Sequence, residues 1–169
     1  MYSLNVPVPG IVKKRAWELR RPLTGVERHR DELSLVVKRL EARTSGEFAA
    51  ESQAVRECCR GTPPFEIRLP RIETFEDPPA GPAPVIYLAV ESPAIEELHA
   101  TLVDALGAVT AVEGDHYVPH ITLGRGLDDP AVLAQLDEHS FEPISWSVER
   151  LCFWDARREV EIGSVPLPA

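Results

Sequence analysis

Between Tyr2 and Ile162 the sequence switches repeatedly between a two-residue and a 3.6-residue apolar period, and it does so in the same order twice. Tyr2, Leu4, Val6 and Val8 alternate with small or polar residues, as a half-buried strand does, and Pro7 marks its edge or its end. From Gly10, Ile11, Val12, Ala16, Leu19 and Leu23 recur at helical spacing, so a helix is expected to end near Pro22 or Gly25. Leu33 to Leu40 is short and β-branched, hence a strand. Ser45 is placed to cap a helix through about Arg60, and Gly61 stops it. Phe65 to Leu69 alternates again, and Ile72 to Phe75 continues past Pro70. After a Pro-rich exposed turn, Asp77 to Pro84, the order restarts. Val85 to Val90 is a strand, Ser92 to Leu106 a helix closed by Gly107, and Val118 to Leu123 a strand. Asp129 and Pro130 open a helix to about Glu138; Ile144 to Trp154 reads as one long strand, with Arg158 to Ile162 as its hairpin partner. The repetition is one of pattern, since no long identical stretch accompanies it.

Composition narrows the function. A chain of 169 residues with 44% hydrophobic and 27% charged residues is the size of one compact unit and too apolar for wholesale disorder. The net charge of -9 repels a phosphate backbone at long range, which argues against duplex DNA as a partner. Cys58, Cys59 and Cys152 are odd in number and include an adjacent pair, a poor disulfide framework, so a reducing cytoplasm is the expected location. No run approaches the ~20 apolar residues of a membrane span, and Met1 to Asn5 lacks the basic-then-apolar pattern of an export signal.

The chemistry concentrates at Pro119-His120-Ile121-Thr122-Leu123. Period-two geometry sets His120 and Thr122 on one face and Ile121 and Leu123 on the other. An imidazole titrating near pH 6.5 exchanges protons at neutral pH, and a hydroxyl about 7 Å along the strand can hydrogen-bond an oxyanion beside it. That pair suits a phosphate.

His120-Ile121-Thr122-Leu123 resembles the His-x-Thr/Ser-hydrophobic motif of the two-histidine phosphoesterases, whose best-known branch contains 2'-5' RNA ligases and RNA 2',3'-cyclic phosphodiesterases. The pieces Pro64 to Ile67, Val85 to Leu88, Leu98 to Ala100, Tyr117 to His120 and Phe153-Trp154 are similar to family segments in the same order. The resemblance implies an α+β fold: a single bilobal domain over residues 1–169, with two pseudo-symmetric lobes of antiparallel sheet backed by helices around a central cleft. Each lobe would come mainly from one half of the chain, with strand exchange between lobes allowed. It also implies metal-independent acid/base chemistry without a cofactor, on a nucleotide or an RNA terminus.

The family carries the motif twice, and here the first copy departs from the pattern. Aligning the two halves sets Glu32-Leu33-Ser34-Leu35 opposite His120-Ile121-Thr122-Leu123, so the hydroxyl survives as Ser34 and Glu32 replaces the imidazole. His29 lies at the opposite parity and would reach the cleft only through a turn. The family mechanism then implies Glu32 as base and His120 as acid, with Ser34 and Thr122 holding phosphoryl oxygens. One positioned proton-transfer group is worth about 100-fold to 10,000-fold, so a slow enzyme is expected. The alternative is a catalytically inactive nucleotide- or RNA-binding module, with Glu32 pairing to His120. A carboxylate about 5 Å from a phosphate costs roughly 3 kcal/mol at an effective dielectric of 20 unless cations compensate. Lys38, at even parity to Glu32 and Ser34, and Arg125 are the candidates for substrate binding, and Tyr117 is the candidate to stack on a base.

Other constellations carry less. His116 and His120 have i, i+4 spacing, but Pro119 lies between them in a predicted strand, so no metal is expected. The three cysteines read as small buried residues, and His99 and His139 as structural. A monomer is expected.

Overall fold

The computed structural model describes residues 1–21, 23, 32–127, 129, 131, 134 and 141–168. In chain order the elements are β1 (Tyr2–Val6), α1 (Gly10–Arg20), β2 (Leu35–Leu40), α2 (Ser45–Cys59), β3 (Phe65–Leu69), β4 (Ile72–Phe75) and β5 (Val85–Ala89). They continue with α3 (Pro93–Leu106), a 3-10 turn at Gly114–His116, β6 (His120–Arg125), β7 (Ile144–Val148), β8 (Arg150–Asp155) and β9 (Val160–Pro166). The fold is α+β, and every strand pair is antiparallel.

The sheets do not follow the halves of the chain. One has the order β2-β1-β8-β9, a second is the pair β3-β7, and a third has the order β4-β5-β6. The first therefore joins strands from both ends of the sequence.

This exchange explains why the single strand expected over Ile144 to Trp154 is two. Ile144, Trp146 and Val148 place their apolar side chains at even positions, whereas Leu151 and Phe153 place theirs at odd ones. A two-residue period cannot bury both sets on one face. The chain breaks at Glu149, β7 pairs with β3, and β8 pairs with β1 and β9.

The helices follow local chemistry. The cap of α2 is Thr44 rather than Ser45: its hydroxyl accepts from the Glu47 amide at 3.2 Å, and the Glu47 carboxylate accepts from the Thr44 amide at 3.1 Å. At the start of α3 the Ser92 hydroxyl makes no cap bond and instead donates to the Glu66 carbonyl at 2.7 Å. Gly107 ends α3 with φ 81°, a conformation open to glycine without strain. Of the helix expected over Asp129 to Glu138, most lies outside the described residues; Asp129 Oδ1 accepts from the Ala131 amide at 2.9 Å.

Leu4, Val6, Val12, Ala16, Leu35, Val37, Ile121, Leu123, Leu151 and Phe153 are among the buried residues that join sheets and helices in one core. Burying a side chain of this size is worth about 1.5–3 kcal/mol. Arg20, in the last turn of α1, donates to the Leu123 carbonyl at 2.8 Å and the Thr122 carbonyl at 3.3 Å, which ties that helix to the motif strand. Among the described residues no helix is long and apolar enough to cross a membrane.

Candidate active site

Strand β6 presents its residues as alternation predicts: Ile121 and Leu123 are fully buried, while His120 and Thr122 are half-buried on the opposite face. The His120 ring stands edge-on to Phe75 and Tyr87, each with its centroid 5.3 Å away. Phe75 and Tyr87 stack on each other at 4.1 Å, and the Tyr87 hydroxyl donates to Glu73 at 2.8 Å. Burial and the Glu73 carboxylate push the Tyr87 phenol well above its usual range, so it stays protonated. His120 Nδ1 lies 2.7 Å from the Val118 carbonyl. A carbonyl only accepts, so Nδ1 carries the proton and Nε2 is the ring atom left to take up or release one.

Strict alternation fails further along, and this decides which cations reach the site. Leu4 lies opposite Lys38 and Asn5 opposite Val36, so Val37 is an extra residue in β2. Ile86 lies opposite Gly124 and Tyr87 opposite Thr122, so Leu123 is an extra residue in β6. Each bulge reverses parity beyond it. Arg39 therefore lines the cavity beside Ser34 and Val36, and Arg125 lines it beside His120 and Thr122. Lys38, expected at the phosphate, is turned away: its side chain is 2% exposed, and Nζ sits 2.7 Å from the fully buried Glu113 carboxylate. Arg39 was not anticipated, because parity alone pointed to Lys38.

A buried network fixes this geometry. Glu113 accepts from Lys38 Nζ at 2.7 Å and from the amides of Arg39 at 2.6 Å and Val109 at 2.9 Å. Burial alone would raise the Glu113 pKa, but these donors together hold it below the usual carboxylate range. His99 Nδ1 donates to the carbonyl of Val37, the bulged residue, at 2.7 Å, and Nε2 accepts from the Gly114 amide at 3.0 Å. Burial lowers the His99 pKa, and a neutral ring is what this donor-acceptor pair requires. His99 is structural, as read from the sequence.

Tyr117 stacks on His99 at 3.6 Å and donates its hydroxyl to the Val36 carbonyl at 2.8 Å. It lines the cavity, but one of its ring faces is taken by His99.

The cavity formed in this way has a volume of about 180 Å³ and gathers Ser34, Arg39, Tyr117, His120, Thr122 and Arg125. His116 also lines it, four residues before His120; the sequence had suggested it only as half of a metal pair. Phe75 and Val118 also border it, with Asp77, Pro78 and Pro79 from the Pro-rich turn. Arg125 holds that turn by donating to the Ala80 carbonyl at 2.9 Å.

Glu32 is not part of this lining. It borders a second, wider cavity of about 530 Å³ that also includes Ser34, and its carboxylate lies 3.7 Å from Lys13. Both partners are about half exposed, so the pair is a weak tether, worth at most about 1 kcal/mol. His29 and His139 lie outside the described residues. Cys152, read as a core residue, is buried but borders the second cavity.

An antiparallel α+β frame that sets a histidine and a hydroxyl on a cleft strand defines the class, and comparison with known proteins agrees. Residues 28–159, well over half of the chain, match the 2'-5' RNA ligase superfamily, and the chain belongs to it. The crystal structure of TT0787 of Thermus thermophilus superposes with a TM-score of 0.67 at 20% identity, covering 98% of this chain and 97% of that one. Escherichia coli LigT, in its structure complexed with 3'-AMP, gives a TM-score of 0.73 at 16% identity, covering 99% and 98%. A structure described as a phosphoesterase gives 0.69 at 16% identity, covering 99% and 98%. No curated protein matches the chain in sequence. At these identities the structures speak for the fold, and the superfamily is one of phosphodiester-acting proteins.

Proposed function

We propose that the chain binds the phosphate of a nucleotide or an RNA end in the cavity between Ser34 and the His120–Thr122 face, and cleaves a 2',3'-cyclic phosphodiester there by metal-independent acid/base chemistry. The observation that carries this reading is one small cavity in which the His120 imidazole, with its tautomer fixed, meets the Ser34 and Thr122 hydroxyls and the Arg39 and Arg125 guanidiniums, drawn from β6 and from the segment Ser34 to Arg39. Arginine forks suit phosphoryl oxygens, and charge-assisted hydrogen bonds are about twice as strong as neutral ones. Escherichia coli LigT has been crystallised with phosphate, 3'-AMP and ATP, which supports a nucleotide phosphate as the ligand class.

Water attacks phosphorus as the bond to the 2' or 3' ribose oxygen breaks. His120 Nε2, protonated at the start, delivers its proton to the leaving oxygen. The base must stand on the opposite side for in-line displacement. His116 comes from the same segment as His120, whereas Glu32 precedes Ser34 on the other segment, so Glu32 is assigned the proton of the water. Its weak tether to Lys13 leaves it able to turn toward the phosphate.

The test is hydrolysis of a 2',3'-cyclic nucleotide followed by chromatography of the product. His120→Ala is expected to slow turnover at least 100-fold, and Glu32→Gln to slow it at least tenfold, each without loss of fold. An unchanged rate in His120→Ala refutes the catalytic assignment.

A second reading, a binding module without turnover, is favoured by the position of Glu32 in the neighbouring cavity. It predicts nucleotide binding by a wild type that hydrolyses nothing, and turnover created by Glu32→His.

A further inference from the structure

The imidazole of the site shares its sheet face with a set of residues that the proposed reaction does not use. Glu73 on β4 lies directly opposite Tyr87 on β5, Tyr87 lies opposite Thr122 on β6, and Ala89 lies opposite His120. Residues two apart on a strand share a face, so Glu73, Phe75, Tyr87, Ala89, His120 and Thr122 rise from the same side of this sheet. Ala89, across from His120, carries only a methyl group. The imidazole therefore has room to lean toward its diagonal neighbour Tyr87, a distance that aromatic side chains span.

Two rings fix how it leans. His120 stands at 82° to Phe75 and 67° to Tyr87, with its centroid 5.3 Å from each. Phe75 and Tyr87 are stacked at 4.1 Å, so neither tilts without moving the other. With Nδ1 also bound at the Val118 carbonyl, the ring is held at one nitrogen and by two aromatic neighbours, which sets the direction of Nε2.

The two supports differ in what else they touch. Phe75 lines the phosphate cavity; Tyr87, 4% exposed, does not, and neither does Glu73. A residue that does not reach the ligand acts on it only through its neighbours. Packing alone would be served by phenylalanine at this position, and the Tyr87 hydroxyl has a use of its own. It donates to Glu73 Oε2 at 2.8 Å, Glu73 Oε1 accepts from Arg71 Nε at 2.6 Å, and Arg71 and Arg68 both hold Glu91, at 3.0 and 2.8 Å. The Tyr87 bond, and after it Arg71, keep the Glu73 carboxyl below its usual pKa range, so the acceptor is charged at neutral pH. Exposed ion pairs of this kind add little to stability. Here they end on a phenol whose ring touches the imidazole.

We propose that Tyr87 is a positioning residue, with Glu73 as its anchor: together they fix the plane of the His120 ring, and so the line from Nε2 to the phosphate, without touching the substrate. The effect on turnover rests on the function proposed above, whereas the effect on the ring does not. A reacting group misplaced by about 1 Å can cost about 100-fold in rate, and the loss falls on kcat because the phosphate ligands Arg39 and Arg125 are left in place.

Nitrogen-15 NMR of the imidazoles reads the ring directly at a pH where it is neutral, with His120 assigned by the signals lost in His120→Gln. The wild type is expected to hold His120 in the Nδ1–H tautomer alone, and Tyr87→Leu to show a mixture of the two tautomers. In hydrolysis of a 2',3'-cyclic nucleotide, Tyr87→Leu should lower kcat about 10-fold to 100-fold while KM changes less than about twofold. Tyr87→Phe and Glu73→Ala cut only the tether, and they carry the test if Tyr87→Leu does not fold. Each should lower kcat about threefold to tenfold, with the double variant no slower than either alone. Glu73→Gln, which keeps an acceptor for the phenol, should restore most of the rate. Val55→Ala, which opens a cavity at a fully buried position of α2, should lower the melting temperature and leave kcat unchanged. A mixture of tautomers in the wild type, or a His120 ring in Tyr87→Leu indistinguishable from wild type, overturns the inference. So does a loss of kcat that Val55→Ala reproduces at the same melting temperature, or losses that add in the double variant. If the wild type hydrolyses nothing, the proposed turnover falls and the tautomer measurement alone decides the inference.

Discussion

The buried pair Lys38–Glu113 offers a quantitative test of how the site is held. At 2.7 Å and an effective dielectric near 20, the attraction between the two charges is about 6 kcal/mol, most of it offset by their removal from water. Breaking the pair exposes that offset. In Glu113→Gln the Lys38 ammonium stays buried with neutral acceptors alone, the Arg39 carbonyl 2.7 Å away and the amide oxygen of the replacing side chain, and with no compensating charge. An uncompensated buried charge of this kind costs about 3–5 kcal/mol, and Lys38→Met should cost less, because Glu113 keeps the Arg39 and Val109 amides and the Arg39 guanidinium 4.0 Å away. The double variant Lys38→Met/Glu113→Gln removes both charges and should lose about 2 kcal/mol or less, giving a coupling of several kcal/mol. Urea unfolding followed by circular dichroism measures all four free energies, with comparable m-values as the check on two-state behaviour. If a single variant is unfolded in buffer while the double variant folds, the coupling is read directly. Single variants within about 1 kcal/mol of wild type, or losses that add within about 0.5 kcal/mol, would refute the argument that this ion pair anchors the β2 bulge.

Stability should also depend on pH through His99, whose pKa in the folded state is lowered by burial. The unfolded chain binds a proton near pH 6.5 and the folded chain does so only at lower pH, so stability is complete above about 6.5 and falls as the pH drops through the interval. One such proton contributes a slope of at most about 1.4 kcal/mol per pH unit, and His99→Gln should flatten it; a wild type equally stable at pH 5 and pH 7 contradicts the assignment. At the site, Arg39→Ala and Arg125→Ala should each weaken phosphate binding about tenfold while Lys14→Ala does not, because a charge-assisted hydrogen bond is worth about 1.5–3 kcal/mol; titration with inorganic phosphate reads this, and equal effects from all three would mean diffuse electrostatics.

Much of this protein could be read from local sequence. The apolar pair Ile121 and Leu123 and the polar pair His120 and Thr122 depend only on the two-residue period of a strand, which any half-buried strand must obey. The ends of the helices were legible for the same reason: Gly107 and the Thr44–Glu47 box act within a turn of their own positions, although the sequence pointed to Ser45 as the cap. Tertiary structure decided what local periodicity cannot carry. The extra residues Val37 and Leu123 are defined only against β1 and β5, and they brought Arg39 and Arg125 to the cavity beside His120 while sending Lys38 inward to Glu113. The break at Glu149 likewise arises because β7 and β8 pair with different strands. A strand's alternation is written in its own residues, but its register is a relation between two chains of hydrogen bonds far apart in sequence, and a shift of one residue changes which side chain meets the ligand.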